Sequence, residues 1–190
     1  MKLFAIVLAA GSSSRFGSNK QLQHYRGKPL VRHAVCLAEA VCGDRSVLVL
    51  GHQWRDVFPA CRPLRGFFVT NGKYQSGIAS SIVQGVGAVE HIADAALLLL
   101  ADQPLVTADH LHALVAEWRQ SQTDVVASSY AGTVGPPVVF PKRCFAEMLA
   151  LQGDCGARSV IAGDSGNVRS ITFEDAALDI DRPGDLDAIS

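Results

Sequence analysis

Nothing in this 190-residue chain spaces cysteines or histidines for metal binding. The five cysteines, Cys36, Cys42, Cys61, Cys144 and Cys155, are odd in number and form no C-x-x-C pair, which excludes a zinc ribbon or a secreted disulfide framework. Reduced thiols and a cytoplasmic location are expected. The six histidines show neither H-x-x-x-H nor H-E-x-x-H spacing and receive no catalytic role. Long apolar runs are missing too: the strongest, Ala95 to Ala101, is far below the roughly 20 residues a membrane helix requires. Leu3 to Ala10 is short for a signal-peptide core and leads into a coherent motif. Excess charge is also lacking, since 17 Lys+Arg against 18 Asp+Glu leave a net charge of -1. No nucleic-acid-coating or membrane-surface role follows from such a balance.

What is present suits one compact domain over residues 1–190, with 48% of residues hydrophobic. Short apolar runs bounded by Gly, Pro, Asp or Asn predict strands at Leu3 to Ala9, Ser46 to Leu50, Gly66 to Val69, Ala95 to Leu100, Asp124 to Ser128 and Pro137 to Phe140. Helical spacing fills the intervals. Leu30, Val31, Ala34, Val35, Ala38 and Val41 repeat behind Pro29, and Ile78, Ile82, Val86 and Val89 follow Gly77. A third set, Leu111, Leu114, Val115 and Trp118, lies behind Thr107 as N-cap. Strands alternating with helices predict an α/β fold of three layers, a mostly parallel sheet with helices on both faces. Ligands should bind beyond the carboxyl ends of the strands.

Charge is balanced overall but segregated along the chain. Residues 1–38 hold six cations and no acid, whereas Glu174 to Asp187 holds six acids and only Arg182. One end suits an anion and the other a cation, or both are simply solvated faces. Directly after the first strand comes Ala9-Ala10-Gly11-Ser12-Ser13-Ser14-Arg15-Phe16-Gly17-Ser18-Asn19-Lys20-Gln21-Leu22. Small side chains let backbone N–H groups approach an anion, Arg15 can grip two phosphate oxygens and Lys20 supplies a mobile point charge. It is neither a Walker A loop nor a G-x-G-x-x-G fingerprint. Spacing alone leaves phosphate binding and a solvated Gly-Ser loop both open.

The run Leu8-Ala9-Ala10-Gly11-x-Ser13-x-Arg15-Phe16-Gly17-x-x-Lys20 resembles the signature of nucleotidyltransferases related to the molybdopterin guanylyl- and cytidylyltransferases. Phe16 stands where Met is commoner. The resemblance implies a Rossmann-like nucleotidyltransferase fold in which Leu8, Ala9, Ala10, Gly11, Ser12, Ser13, Arg15 and Lys20 wrap a nucleoside triphosphate, with Arg15 and Lys20 catalytic. Asn71-Gly72-x-Tyr74-x-x-Gly77-Ile78-x-Ser80-Ser81 is similar to the segment that such enzymes place beside base and ribose, which adds Asn71, Gly77, Ser80 and Ser81.

Asp102-Gln103-Pro104 follows the strand at Ala95 to Leu100, where the crevice rule expects ligands. A hard carboxylate oxygen there suits Mg²⁺, which takes one or two carboxylates together with substrate phosphates and water. In isolation a D-x-P reads by default as an Asp opening a turn before proline. The resemblance makes Asp102 a catalytic metal ligand. Asp179-Ile180-Asp181-Arg182-Pro183-x-Asp185-Leu186 resembles the family's closing segment; the resemblance implies Asp181 as the second ligand, with Asp179 the alternative, and both are expected on one face of a strand. Arg182 replaces the usual Thr. Mn²⁺ is the alternative to Mg²⁺.

Gly153-Asp154-x-Gly156-Ala157-Arg158 looks like an element of the molybdopterin cytidylyltransferase subgroup. It reads as a glycine turn at a helix start, with Asp154 as N-cap and Arg158 poised for a second phosphate. Pro104, Gly135, Pro136, Asp154, Gly156 and Arg158 are the expected acceptor contacts. Cys155, with no His near it in sequence, is a bystander.

These resemblances imply Mg-dependent transfer of CMP from CTP to the phosphate of the molybdenum-pterin cofactor, releasing pyrophosphate. Ala10, where guanylyltransferases carry Gly, narrows the base pocket toward a pyrimidine. The alternatives are a sugar phosphate or other alcohol phosphate as acceptor, and a non-catalytic carrier that hands the pterin to a molybdenum hydroxylase. Neither nucleic acid nor membrane is an expected partner.

Overall fold

The computed structural model describes residues 1–13 and 16–189. Its strands are β1 (Leu3–Ala9), β2 (His24–Tyr25), β3 (Lys28–Pro29), β4 (Ser46–Leu50), β5 (Phe67–Thr70), β6 (Ala95–Leu100), β7 (Val125–Tyr130), β8 (Thr133–Pro141) and β9 (Val168–Thr172). Its α-helices are α1 (Leu30–Cys42), α2 (Trp54–Ala60), α3 (Ile78–Gly87), α4 (Ala108–Ser121), α5 (Phe145–Leu149), α6 (Ala157–Gly163) and α7 (Pro183–Asp187). Seven strands form one sheet in the order β5-β4-β1-β6-β8-β7-β9, and β2 with β3 makes a separate hairpin.

Every residue of β1 is buried, as the uninterrupted run LFAIVLA requires of a strand covered on both faces. Alternate side chains divide the interior. Leu3, Ala5, Val7 and Ala9 pack with α1, α2 and α4, whereas Phe4, Ile6 and Leu8 pack with α3, α5 and α6. The result is the expected three-layer arrangement. β1 pairs in parallel with β4 and β6, and β4 with β5, so the carboxyl ends of these strands share one edge. β8 runs antiparallel to both β6 and β7, and β9 is parallel to β7.

Several elements differ from the sequence expectations. β8 begins at Thr133 rather than Pro137, because it turns straight back from β7 through Ala131-Gly132, both with positive φ (47° and 71°). β9, β2, β3 and α2 were not expected at all. Leu178 to Asp181 is irregular rather than a strand, and Ile180 N donates to the Asp102 carbonyl at 2.9 Å. The N-cap of α6 is Gly156, with no side-chain cap, so Asp154 does not cap that helix.

A third apolar cluster joins distant parts of the chain. Phe16, Tyr25, Leu30 and Ile180 are buried together, with Leu105, Leu178, Leu186 and Ile189 packed on them. It pins the acidic C-terminal segment beside the basic N-terminal loop. The two charge-segregated ends therefore meet at the carboxyl edge of the sheet.

Candidate active site

A cleft of about 430 Å³ opens at that edge, between the segments that follow β1, β5 and β6. Leu8, Ala10, Gly11, Ser12, Ser13 and Lys20 line one wall, Gly77, Ser81 and Asp154 another, with Asp102 and Asp181 also lining it. Ala9 faces the core on the opposite side of β1. Arg15, with Ser14, lies outside the described residues.

The loop after β1 is shaped by a residue that the motif comparison passed over. Gln21 is buried; its Nε2 donates to the Gly11 carbonyl at 3.3 Å and its Oε1 accepts from Ser13 Oγ at 3.2 Å. Ser13 adopts a left-handed conformation (φ 54°), and its Oγ also accepts from Lys20 N at 3.2 Å. One amide thus holds both ends of the small-residue turn. A polar residue between two loop-closing residues, Lys20 and Leu22, was the signal available in sequence.

Lys20 is the centre of charge. Its Nζ donates to Asp102 Oδ2 at 2.6 Å, to the Ile180 carbonyl at 2.8 Å and to Asp181 Oδ1 at 3.3 Å. Burial disfavours its charge, but Asp102 and Asp181 outweigh that cost and hold the ammonium above the usual lysine value. Asp179 lies nearby without lining the cleft. Burial and then the Asp102 charge push it up to about 6, against the opposing Gln103 hydrogen bond and Lys20 charge. Asp102 and Asp181 are therefore brought to one cation, while Asp179 beside them is disfavoured as a carboxylate relative to an ordinary aspartate.

The oxygen-only donor set of Asp102 and Asp181 fits a hard divalent cation. Among the described residues, no three His, Cys, Asp or Glu side chains gather closely enough to hold a metal alone. Two carboxylates completed by substrate phosphates fit Mg²⁺ better than a closed protein cage.

Asn71 and Ser80 serve the wall rather than line it. The buried Asn71 donates from Nδ2 to Ser80 Oγ (2.8 Å) and Ser81 Oγ (3.0 Å), and its Oδ1 accepts from Lys73 N (2.8 Å). Ser81 remains on the cleft. Tyr74, not selected from sequence, also lines it and is 3.3 Å from His52 Nδ1 through its hydroxyl.

Gly77 couples the segment before α3 to the Gly153–Asp154 turn. Its φ is +94°, and a Cβ there would lie 2.1 Å from the Gly153 carbonyl oxygen. That carbonyl instead accepts from Ala79 N at 3.2 Å, occupying an amide at the start of α3. Asp154 is thereby delivered to the cleft. Pro104, Gly135, Pro136, Gly156 and Arg158 stand outside its lining. Cys155 is exposed and does not line the cleft. Burial pushes the thiols of Cys42, Cys61 and Cys144 up to about 11, 12 and 11, which makes them inert.

The MobA-like NTP transferase domain family matches residues 5–169. The chain belongs to that family. It is a nucleotidyltransferase, and its sheet and helices are those of the family's Rossmann-like fold. It is 30% identical over 198 residues to the purine catabolism protein PucB of Bacillus subtilis (strain 168), covering 98% of this chain and 95% of PucB. The bifunctional protein GlmU of Francisella philomiragia subsp. philomiragia is 33% identical over 117 residues; the match covers 60% of this chain and 25% of that longer protein. Among solved structures, Rv0371c of Mycobacterium tuberculosis H37Rv superposes with a TM-score of 0.83 at 26% identity, over 100% of this chain and 98% of that one. The same protein has been solved in complex with manganese, at 25% identity, over 100% of this chain and 98% of that one, with a TM-score of 0.83. No helix among the described residues is long and apolar enough to cross a membrane.

Proposed function

We propose that this nucleotidyltransferase moves CMP from CTP to the phosphate of the molybdenum-pterin cofactor. An acceptor phosphate oxygen attacks the α-phosphorus, the bond from that phosphorus to the bridging oxygen breaks, and pyrophosphate leaves. Positioning and charge neutralisation carry such a reaction, and no enzyme nucleophile is needed. The observation that carries the proposal is the convergence of Lys20, Asp102 and Asp181 at the mouth of the Gly11–Ser13 turn.

Asp102 and Asp181 would hold a divalent cation, Mg²⁺ with Mn²⁺ as the alternative, which supplies neutralisation of the phosphate charge. The manganese complex of the Mycobacterium tuberculosis relative supports that class of ion. Lys20, whose ammonium donates to both carboxylates, would meet the phosphates at the same place. Arg15 is the proposed second phosphate cation.

CTP is favoured by Ala10. Ala10 lines the cleft. A methyl there, where Gly would leave open space, would take room from the base. Such a difference is worth about 1–3 kcal/mol, enough for a preference. The docking of Gly153 on α3 supports acceptor binding next to the nucleotide.

The test is pyrophosphate release from CTP, GTP, ATP and UTP with Mg²⁺, with and without molybdenum-loaded pterin, in wild type and Asp102→Ala. Pterin-dependent turnover of CTP that vanishes in the variant supports the proposal. GTP preference keeps the chemistry and overturns the role of Ala10. Turnover only with a sugar phosphate or other alcohol phosphate replaces the acceptor, and cofactor binding without turnover of any triphosphate favours the carrier.

A further inference from the structure

Arg32, Arg143 and Arg169 each end on at least one carboxylate. Arg158 does not. Among the described residues its side-chain partner is a neutral phenol: Nη2 lies 3.5 Å from the Tyr130 hydroxyl, with the guanidinium carbon 5.8 Å from the ring centroid. A neutral partner orients a guanidinium without cancelling its charge, so donors remain for an anion.

The phenol is itself fixed. Tyr130 is 4% exposed, and its hydroxyl donates to the Pro136 carbonyl at 3.0 Å, so the oxygen presents lone pairs to Arg158. The same carbonyl receives Gln103 Nε2 at 3.4 Å, and Gln103 directly follows Asp102. Gly135 provides the space: a Cβ there would lie 2.6 Å from the Tyr130 hydroxyl and 3.1 Å from Arg158 Nε. On its own side, Arg158 follows Asp154 by four residues, and Asp154 lines the cleft. A polar strap thus runs from Gln103, beside Asp102, through Pro136 and Tyr130 to Arg158. It lies on the β8 side of the carboxylates, away from the Gly11–Ser13 turn.

We infer that Tyr130 is a positioning residue that holds the Arg158 guanidinium as the contact for the anionic group of the acceptor substrate. The inference rests on the nucleotidyltransferase proposal above, in that it assigns the two sides of the carboxylates to the two substrates. Tyr130 touches neither substrate. It acts by fixing the direction of an uncancelled positive charge.

Tyr130→Phe keeps the ring and removes the hydroxyl. Loss of the hydroxyl that orients Arg158 should raise the acceptor KM roughly five- to tenfold, with the CTP KM within about twofold of wild type. An unchanged acceptor KM, or equal rises in both KM values, overturns the inference. A second measurement needs no turnover: the Arg158 Nε–H NMR resonance, assigned by its loss in Arg158→Lys, is titrated with inorganic phosphate. The wild-type resonance should shift with phosphate, and Tyr130→Phe should weaken that binding by a similar factor. A wild-type resonance indifferent to phosphate, or a Tyr130→Phe titration equal to wild type, overturns the inference. If the wild type shifts as expected but turns over no acceptor, only the reaction proposal fails.

Discussion

The ammonium of Lys20 sits 2.6 Å from Asp102 Oδ2, although 82 residues separate them in the chain. Because Lys20 also reaches Asp181, one side chain compensates two carboxylates at the edge of the sheet. Removing it takes the ammonium away from Asp102 and one partner away from Asp181, which makes Lys20→Met less stable by about 1–3 kcal/mol in chelator. It should also make divalent cations stabilise the variant more than wild type, since the metal no longer competes with the ammonium. Thermal melts across a Mn²⁺ titration measure both effects. Equal metal-induced shifts in the two proteins would refute the competition.

His110 predicts an acid-sensitive fold. Its Nε2 faces Ser128 Oγ at 2.7 Å, and that hydroxyl donates to the Pro137 carbonyl, so the ring must supply the hydrogen. Burial lowers its pKa from 6.5 to about 4 in the fold, so the unfolded chain binds the proton more readily between those values. The contribution is fully present above about pH 6.5 and is lost as pH falls toward 4, up to about 3 kcal/mol. Urea melts at pH 5 and pH 7 should show wild type losing stability at the lower pH. His110→Gln should lose less.

These two sites mark how far the sequence could be read. β1, β4 and β6 are buried along nearly their whole length, so their apolar runs announced them. β9, an edge strand of half-exposed residues with Arg169 and Ser170 at its centre, carried no such run. α2 was hidden by its polar start, Arg55-Asp56, and by Pro59 inside it. The small-residue loop and Asp102 were visible because each follows its strand directly. The Lys20–Asp102–Asp181 pairing was not, since it depends on Ile180 being buried against Phe16, Tyr25 and Leu30. Arg158 was visible by resemblance, but its neutral partner Tyr130 closes β7 two residues beyond the expected strand end, and periodicity does not report that pairing.

Gln21 should govern triphosphate binding through the loop it holds. Gln21→Glu keeps an acceptor for Ser13 Oγ but sets a carboxylate against the Gly11 carbonyl and adds negative charge beside the bound phosphates. The expected result is a CTP KM raised about tenfold or more, the size of one lost charge-sensitive contact. The acceptor KM should change little. Steady-state kinetics with each substrate varied in turn separates the two, and a Gln21→Glu enzyme with unchanged CTP KM would remove Gln21 from the loop's function.

Gly77 should tolerate no side chain. Alanine would have to adopt φ +94° and would place its methyl 2.1 Å from the Gly153 carbonyl, so strain and clash add. The backbone at Gly153 must move, and the hydrogen bond from Ala79 N must break. Gly77→Ala should therefore lose about 1–3 kcal/mol of stability. Faster hydrogen exchange should appear at the Ala79 amide, while the centre of β1, held by β4 and β6 on both sides, should change only as global stability does. Because the same displacement withdraws Asp154 from the cleft, acceptor KM should rise more than CTP KM. Unchanged exchange at Ala79 in a folded Gly77→Ala protein would show that the two segments are not mechanically coupled.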